Sequence, residues 1–169
     1  CSTIHDFALT KEYAIFPIFP TTADLDRLKA GGAHWAHQQD LDSWVGIMPR
    51  YGKVEDMRWF RGRAGISAFH LVNAFDNGDL VHLDVCLSDT NAFAFMREAG
   101  GVQRDQRNIG GGLTRWTFDM SKADDTFEER VVGPPGDMPC LRDVDQGRPY
   151  RAAWYLSMNP QGGPSLAGG

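Results

Sequence analysis

A chain of 169 residues, 42% of them hydrophobic and 11% aromatic, is long enough to enclose one hydrophobic core and is typical of a globular domain. A mild net charge of −5 and the lack of an apolar run near the roughly 20 residues that cross a bilayer argue against a nucleic-acid partner and a transmembrane segment. Three widely spaced cysteines indicate neither a disulfide framework nor a metal clip, which favours a reducing compartment, so we expect a cytoplasmic protein.

Short strands are predicted along most of the chain, wherever β-branched and aromatic residues cluster between turn residues. The predicted strand segments, in chain order, are 5–19, 43–50, 54–62, 67–85, 113–120, 128–133 and 150–159. The stretches "PRYGK" and "FDNGD" carry the Gly or Asn of tight turns, and Asp76 is expected to begin the second turn. The pattern therefore predicts antiparallel hairpins.

Helices are predicted only as short excursions from the strands. Residues 21–31 have a Thr as candidate cap, Leu25 and Leu28 on one face and a Gly stop, while residues 88–101 fit either a short helix or a strand. Residues 158–169 are rich in Gly and Pro and predict a loop or a frayed end. Hairpins without long helices indicate an all-β sandwich, barrel or propeller, and the absence of a fixed-period repeat disfavours a highly regular propeller.

Histidines are the candidate metal ligands. His34 and His37 lie three apart in a polar, Gly-led stretch and are expected to be ordinary surface residues. His5 and His70 each lie where a polar segment meets a strand, in a setting expected to be semi-buried. An imidazole packed there can keep one ring nitrogen for a metal while the other finds an acceptor, and plain core histidines are the alternative.

The residues around His5 and His70 carry a resemblance. "HDFALTKEYAIF" and "FHLVNAF", with "HWAHQQDLDSWVGIMPRYG" and "MRWFRG" between them, resemble the carotenoid cleavage oxygenase family, in particular its bacterial lignostilbene dioxygenase branch. The resemblance implies a seven-bladed β-propeller with Fe(2+) on its axis, bound by four histidines from different blades, two of which would be His5 and His70. Imidazole suits iron, and ligands from separate blades lie far apart in sequence.

The resemblance also implies that residues 1–169 form part of one propeller domain, about three of its blades, with further portions at both ends. The sequence begins with Cys1 and not Met, so we expect the natural N-terminus to lie upstream. Two histidine ligands would then lie outside the chain. We accordingly expect the 169 residues alone to hold iron weakly and to show no turnover.

Asp137 matches the position of a family glutamate that orients a ligand imidazole. Because Asp is one methylene shorter, it would need a closer backbone or a bridging water, and His70 is a plausible ring for it to orient. The alternative is that Asp137 caps a turn in "PPGDMP". Asp6 follows His5 directly, and alternation along a strand would point it away from the axis and towards local backbone groups.

Phe93 and Phe95 are the candidate substrate contacts. They lie two apart, and therefore on one face if the segment is extended, and Phe93 resembles the aromatic residue that lines the pocket in the lignostilbene branch. Ordinary core packing of both rings is the alternative.

The reaction that the resemblance implies is cleavage of one carbon–carbon double bond by O2 to give two carbonyl products, without an organic cofactor. The substrate would be a small apolar aromatic or polyene molecule, either a stilbenoid or a carotenoid or apocarotenoid. One alternative is a non-catalytic β-domain, a binding module with His5 and His70 as core residues. Another is a different iron or zinc enzyme in which Asp6, Asp76 or Asp137 completes the site. The oligomeric state is left open.

Overall fold

The computed structural model describes residues 2–93, 95–101 and 110–157, and strands dominate this part of the chain. The elements are β1 (Ala8–Leu9), β2 (Tyr13–Ile18), β3 (Thr21–Ala23), α1 (Leu25–Lys29), β4 (Trp35–His37), β5 (Asp42–Pro49), β6 (Arg58–Ala64), β7 (Ser67–Asn77), β8 (Leu80–Ser88), β9 (Arg97–Glu98), β10 (Gly111–Asp119), β11 (Glu128–Gly133), β12 (Gly136–Cys140) and β13 (Trp154–Ser157), with 3₁₀ turns at Val54–Asp56 and Asp143–Asp145. Within the described ranges, no helix is long and apolar enough to span a membrane.

Two four-stranded antiparallel sheets form the body of the molecule. The first sheet has the order β1-β2-β5-β6, and the second sheet has the order β7-β8-β10-β11. A cap sheet of β3, β4 and β9 and a ribbon of β12 and β13 complete the fold. Four-stranded meanders are the blade units of propellers, and β1 and β12 both contact β7, the first strand of the second sheet.

The core lies between the two large sheets. Strand alternation places every second side chain of β10 inward, so its burial alternates along nine residues. Phe60 of the first sheet meets Phe118 of the second edge-on, with ring centres 4.9 Å apart. The buried residues that share this core are Ala8, Ile15, Val45, Ile47, Phe60, Ile66, Ala74, Val81, Leu83, Val85, Leu87, Trp116 and Phe118. This packing fixes β1 and β7 side by side.

The two predicted tight turns differ in the structure. Strands β7 and β8 are joined by a two-residue turn after the pair Asn77 and Leu80, and Gly78 adopts φ +63° there, which a glycine tolerates. Asp76 does not begin this turn, because it lies within β7, and its Oδ1 accepts a hydrogen bond from Glu12 N at 3.2 Å. The turn predicted at "PRYGK" is present, because Gly52 N donates to Pro49 O at 2.8 Å, but it does not close the hairpin alone: β5 and β6 are joined by segment 50–57, which also contains a 3₁₀ turn.

The predicted helix is present but shorter and differently capped. Its N-cap is Asp24, whose Oδ1 accepts from Arg27 N at 2.8 Å, whereas the threonines proposed as caps belong to β3. Leu25 and Leu28 are both exposed, so they form no buried face. Of the stretch 88–101, residue 88 ends β8, and residues 89–93 and 95–101 form bends, turns and the two-residue strand β9, which pairs in parallel with β4. The predicted loop at 158–169 lies outside the described residues.

Candidate functional site

His5 and His70 are 65 residues apart in sequence and adjacent in space. His5 lies in the irregular segment before β1 and is exposed, and His70 lies within β7 with 27% of its side chain exposed. Their ring centres are 5.3 Å apart and the rings are nearly perpendicular, at 84°. The expected semi-buried setting therefore fits His70 but not His5.

Both rings are oriented through their Nδ1 atoms. His70 Nδ1 donates to Asp137 Oδ1 at 2.8 Å, and His5 Nδ1 donates to the carbonyl oxygen of Phe69 at 3.0 Å. A carbonyl oxygen only accepts, so the His5 proton must reside on Nδ1 and its Nε2 carries the lone pair. Neither Nε2 atom has a hydrogen-bond partner among the described residues. This is the tautomer that a metal-binding histidine needs.

The backbone around His70 is irregular. The pairing of β7 with β8 shifts between Ala68 and Leu71 and again between Leu71 and Asn73. Such bulges turn side chains away from the regular alternation, and they are common beside functional sites. The Leu71 N–H is satisfied by Asp6 Oδ2 at 2.9 Å.

Asp6 thus ties the segment of His5 to β7. Its Oδ1 accepts from Phe7 N at 2.8 Å while its Oδ2 accepts from Leu71 N, so it bonds backbone groups as expected. The alternation along a strand that was expected to point Asp6 away from His5 is absent, because both residues precede β1 and are not in a strand. Among residues 2–93, 95–101 and 110–157 no three His, Cys, Asp or Glu side chains could share a metal, which gives no support to a site completed by Asp6, Asp76 or Asp137.

Asp137 reaches His70 directly, without a bridging water. It lies in β12, whose pairing with β13 shifts between Asp137 and Cys140, and β12 contacts β7. The next residue, Met138, adopts φ +56°, and its N–H donates to Asp137 Oδ1 at 2.7 Å. A left-handed non-glycine residue costs about 1–2 kcal/mol. The local turn contact proposed as the alternative is therefore present as well, and one carboxylate oxygen makes both bonds.

Aromatic rings form a cleft beside His5. The His5 ring stacks on Phe69 with centres 3.5 Å apart, Phe69 lies 4.9 Å from Phe93, and Phe93 lies 5.4 Å from Phe95. Phe95 is 73% exposed, so core packing does not account for it. The cavity that these rings line with Met96 has a volume of about 100 Å³. Binding sites for small molecules usually measure about 300–1,000 Å³, so this cleft would be one part of a larger site.

His37 was expected at the surface, and this prediction is wrong. It lies in β4, fully buried, with Nδ1 3.0 Å from Glu98 Oε2 and Nε2 3.1 Å from the Gly65 carbonyl oxygen. No alternation in the sequence marks it, because Trp35 is partly buried while its neighbours Ala36 and His37 are both buried. His34 is exposed, as predicted.

Burial shifts the pKa values of two further groups, His82 and Cys86. Burial is the largest cause that lowers the pKa of His82, with the charge of Arg115 second, and its Nδ1 lies 3.0 Å from Thr117 Oγ1. Burial, aided by the charge of Asp137, raises the pKa of the Cys86 thiol to about 12, which keeps it protonated and unreactive. Cys86 and Cys140 are both free thiols, and the cytoplasmic location stays a prediction.

The donor chemistry of His5 and His70 fits a divalent iron ion. The ring centres of His5 and His70, 5.3 Å apart, are near enough for one ion to contact both rings. Neutral imidazole is a common ligand of iron. Their roles as ligands, like those of Asp137, Phe93 and Phe95, stay predictions.

Comparison with known proteins decides the family. The family model "RPE65: Retinal pigment epithelial membrane protein" matches residues 1–168. The chain belongs to this family, the carotenoid cleavage oxygenases. Among curated relatives, lignostilbene-α,β-dioxygenase isozyme III of Sphingomonas paucimobilis is 36% identical over 162 residues, covering 94% of this chain and 33% of the relative. Resveratrol cleavage oxygenase 1 of Aspergillus fumigatus is 33% identical over 178 residues, covering 98% and 35%.

Solved structures of carotenoid cleavage oxygenases share the fold. The crystal structure of Pseudomonas brassicacearum lignostilbene dioxygenase matches 99% of this chain and 35% of its own with a TM-score of 0.90 and 33% identity. Cobalt-substituted Synechocystis ACO matches 96% of this chain and 34% of its own with a TM-score of 0.74 and 26% identity. The all-β prediction and its assignment to the seven-bladed propeller fold are confirmed. The chain spans about one third of the length of these relatives, and the number of blades it supplies stays a prediction.

Proposed function

We propose that the protein carrying this chain is a non-haem iron dioxygenase that cleaves a carbon–carbon double bond of a stilbenoid with O2. The reaction balances without a further reductant, because the two atoms of O2 become the oxygens of two carbonyl products. The observation that carries the proposal is that the rings of His5 and His70 lie 5.3 Å apart, each bound through Nδ1 to an oxygen atom, and that His5 borders an aromatic cleft.

The metal would be held by His5 and His70 through Nε2, with the other ligands supplied from outside the described residues. Iron, when bound, supplies the activation of O2. The carboxylate of Asp137 holds the Nδ1 proton of His70, which makes that ring a better donor and balances positive charge close to the metal. The carbonyl of Phe69 does the same for His5 without adding a charge.

The cleft supports an aromatic substrate. Phe69, Phe93 and Phe95 offer ring faces and edges within stacking distance of one another, and stacked or edge-on contacts suit a flat aryl group. Relatives named for lignostilbene and resveratrol are 36% and 33% identical over 94% and 98% of this chain, whereas carotenoid cleavage oxygenase 1 of Neurospora crassa is 36% identical over only 60% of it. A carotenoid 9,10(9',10')-cleavage dioxygenase of Arabidopsis thaliana is 27% identical over 88%. The match over nearly the whole chain favours a stilbenoid over a carotenoid or apocarotenoid.

The alternative of a non-catalytic binding module fits the geometry less well. That alternative has His5 and His70 as core residues, and two rings far apart on opposite faces of a sheet would support it. His5 is exposed, and the two rings lie 5.3 Å apart.

Expression of the complete reading frame that contains this sequence, loaded with iron, tests the proposal. Aldehyde formation is measured from a hydroxystilbene and from an apocarotenoid in parallel, with ¹⁸O₂ as the oxidant. We expect label in both carbonyl products and faster turnover of the stilbene. Faster turnover of the apocarotenoid would correct the substrate class, and no product from either substrate at full iron loading would overturn the proposed activity.

A further inference from the structure

A second imidazole and carboxylate pair lies beneath the cap sheet. His37 of β4 is 0% exposed and the Glu98 side chain of β9 is 8% exposed, and the atoms that join them, His37 Nδ1 and Glu98 Oε2, are 3.0 Å apart. The other ring nitrogen, Nε2, lies 3.1 Å from the carbonyl oxygen of Gly65. Both nitrogens of one ring therefore face oxygen atoms in a buried setting.

The two contacts of the His37 ring, with Glu98 and with the Gly65 carbonyl, need one more proton than a neutral imidazole and a carboxylate supply together. A neutral imidazole has one N–H, whereas the carbonyl of Gly65 can only accept. Both contacts are hydrogen bonds only if His37 is an imidazolium facing a carboxylate, or if Glu98 is protonated and donates to Nδ1. A metal ligand role for His37 is excluded in either form, because no lone pair is left exposed.

Glu98 ends the segment that carries the cleft aromatics. Phe93 and Phe95 lie just before β9, and β9 pairs with β4 over only two residue pairs. A backbone hydrogen bond also joins β4 to the residue after β9, since Ala99 N donates to His37 O at 2.8 Å. Two residue pairs alone hold so short a strand weakly, and the buried contact of Glu98 with His37 adds a side-chain link between β9 and β4.

The beginning of the same segment is held by Ser67, the first residue of β7. Its hydroxyl donates to Thr90 O at 2.6 Å and accepts from Ala92 N at 3.3 Å. Asn91, which is 2% exposed, accepts from Phe93 N at 3.0 Å. The segment is thus anchored at both ends, by β7 at its start and by His37 at its end.

His37 also holds the opposite wall of the cleft. Gly65 precedes β7, which carries Phe69 and His70, and its φ of +69° together with Gln39 atoms 2.1 Å from a would-be Cβ leaves no room for a side chain. One ring therefore joins the strand of Phe69, through Gly65, to the segment of Phe93 and Phe95, through Glu98.

We propose that His37 and Glu98 are positioning residues that set the width of the aromatic cleft, and with it the affinity for an aryl substrate. The predicted effect on substrate affinity rests on the proposed function. The predicted effect on the order of residues 92–99 rests on the geometry alone. The pair is predicted to influence binding of the aromatic group and to leave the chemical step unchanged.

Three variants of the complete protein test it. Glu98→Met fills a similar volume without an acceptor, and a neutral His37 can still donate Nε2–H to Gly65. Glu98→Gln restores both hydrogen bonds, since its amide can donate to Nδ1 of a neutral ring. Glu129→Ala is the matched control, because Glu129 accepts from Trp116 Nε1 at 2.8 Å and from Arg63 Nε at 3.0 Å in β11, away from the cleft.

Two readouts separate positioning from general stability: KM against kcat for a hydroxystilbene, and amide hydrogen exchange measured peptide by peptide. For Glu98→Met we expect KM to rise about tenfold, the effect of one lost buried hydrogen bond, with kcat within about twofold of the parent value. Exchange should increase in residues 92–99 and stay unchanged in β8 and β10. Glu98→Gln should match the parent in both readouts, and Glu129→Ala should leave KM unchanged.

Other results overturn the proposal. These are an unchanged KM and unchanged exchange at 92–99 in Glu98→Met, an equal rise of KM in Glu129→Ala, or a loss of kcat alone. A Glu98→Gln variant that behaves like Glu98→Met would likewise overturn it. If the parent turns over no stilbene, the proposed function fails, whereas the exchange at 92–99 still decides whether the pair positions the segment.

Discussion

The imidazoles of His70 and His37 each contact a carboxylate through Nδ1, but they differ in the surroundings of Nε2. His70 Nδ1 lies 2.8 Å from Asp137 and His37 Nδ1 lies 3.0 Å from Glu98, so the paired side is alike. On the far side His37 Nε2 meets the Gly65 carbonyl, while His70 Nε2 meets no hydrogen-bonding group in the described part of the chain. The site of His70 is half-open and that of His37 is closed.

A carboxylate beside a histidine therefore does not by itself indicate a metal site. The carboxylate shares a proton with Nδ1 in both places, and only the surroundings of Nε2 decide whether a lone pair is available to a ligand. At His37 the second bond ties two elements together. At His70 the same arrangement leaves the ring ready to bind.

Removal of His70 should have the largest effect. In the iron-loaded complete protein, His70→Ala should lower the iron content by at least half and reduce aldehyde formation below detection, because one Nε2 ligand is lost. Iron is measured by elemental analysis and aldehyde by chromatography. His34→Ala, which removes an exposed imidazole, is the control and should change neither. A His70→Ala protein with full iron and activity would remove this residue from the ligand set.

Removal of His37 should instead act on stability. His37→Ala leaves the Glu98 carboxylate without its imidazole in a buried setting, so we expect the free energy of unfolding to fall by about 3 kcal/mol in urea titrations. Iron content of the folded protein should stay at the parent level. A loss as small as that of His34→Ala would show that the pair contributes little, and a loss of iron would contradict the contrast between the two histidines.

Asp137 should have an intermediate effect. Asp137→Ala removes the acceptor that orients His70, and we expect the affinity for iron to fall about 10–100-fold in competition with a chelator. Asp137→Asn keeps an oxygen for His70 Nδ1 and should lose less. Glu98→Gln, which neutralises the other carboxylate, is the matched control. Equal affinities in the parent and Asp137→Ala would show that His70 needs no orienting partner.

The local patterns predicted β7 and β8 well. Their alternation and the Asn77-Gly78 pair carry the signal of a two-residue hairpin, and the structure has that hairpin. Asp76 was misplaced because its carboxylate bonds the backbone of Glu12, a contact 64 residues away that no local rule contains. The position of His5 beside His70 was predicted from the family resemblance, since a separation of 65 residues forms no spacing motif.

His37 shows where sequence patterns fail. Its strand has three residues, follows a Gly-rich stretch, and pairs with a strand of two residues at 97–98, so its burial depends on tertiary contacts alone. Propensity and periodicity need longer segments to give a signal. The direct contact of Asp137 with His70 could not be predicted from local patterns either. It depends on the bulge in β12 and on the left-handed conformation of Met138.

His82 is a third imidazole in a different setting, and its predicted effect on stability is the smallest. It bonds a hydroxyl and no carboxylate, so burial, with help from Arg115, lowers its pKa below the usual 6.5. As the pH falls through about 6.5, the unfolded chain takes up a proton that the folded chain resists, and the folded state loses stability. Because the ring is partly exposed, this loss should be well below about 1 kcal/mol between about pH 7.5 and about pH 5.5.

Urea titrations at both pH values test the role of His82. The free energy of unfolding should depend less on pH in His82→Gln than in the parent. An identical dependence in the two proteins would mean that the Thr117 hydroxyl stabilises the charged and neutral rings alike.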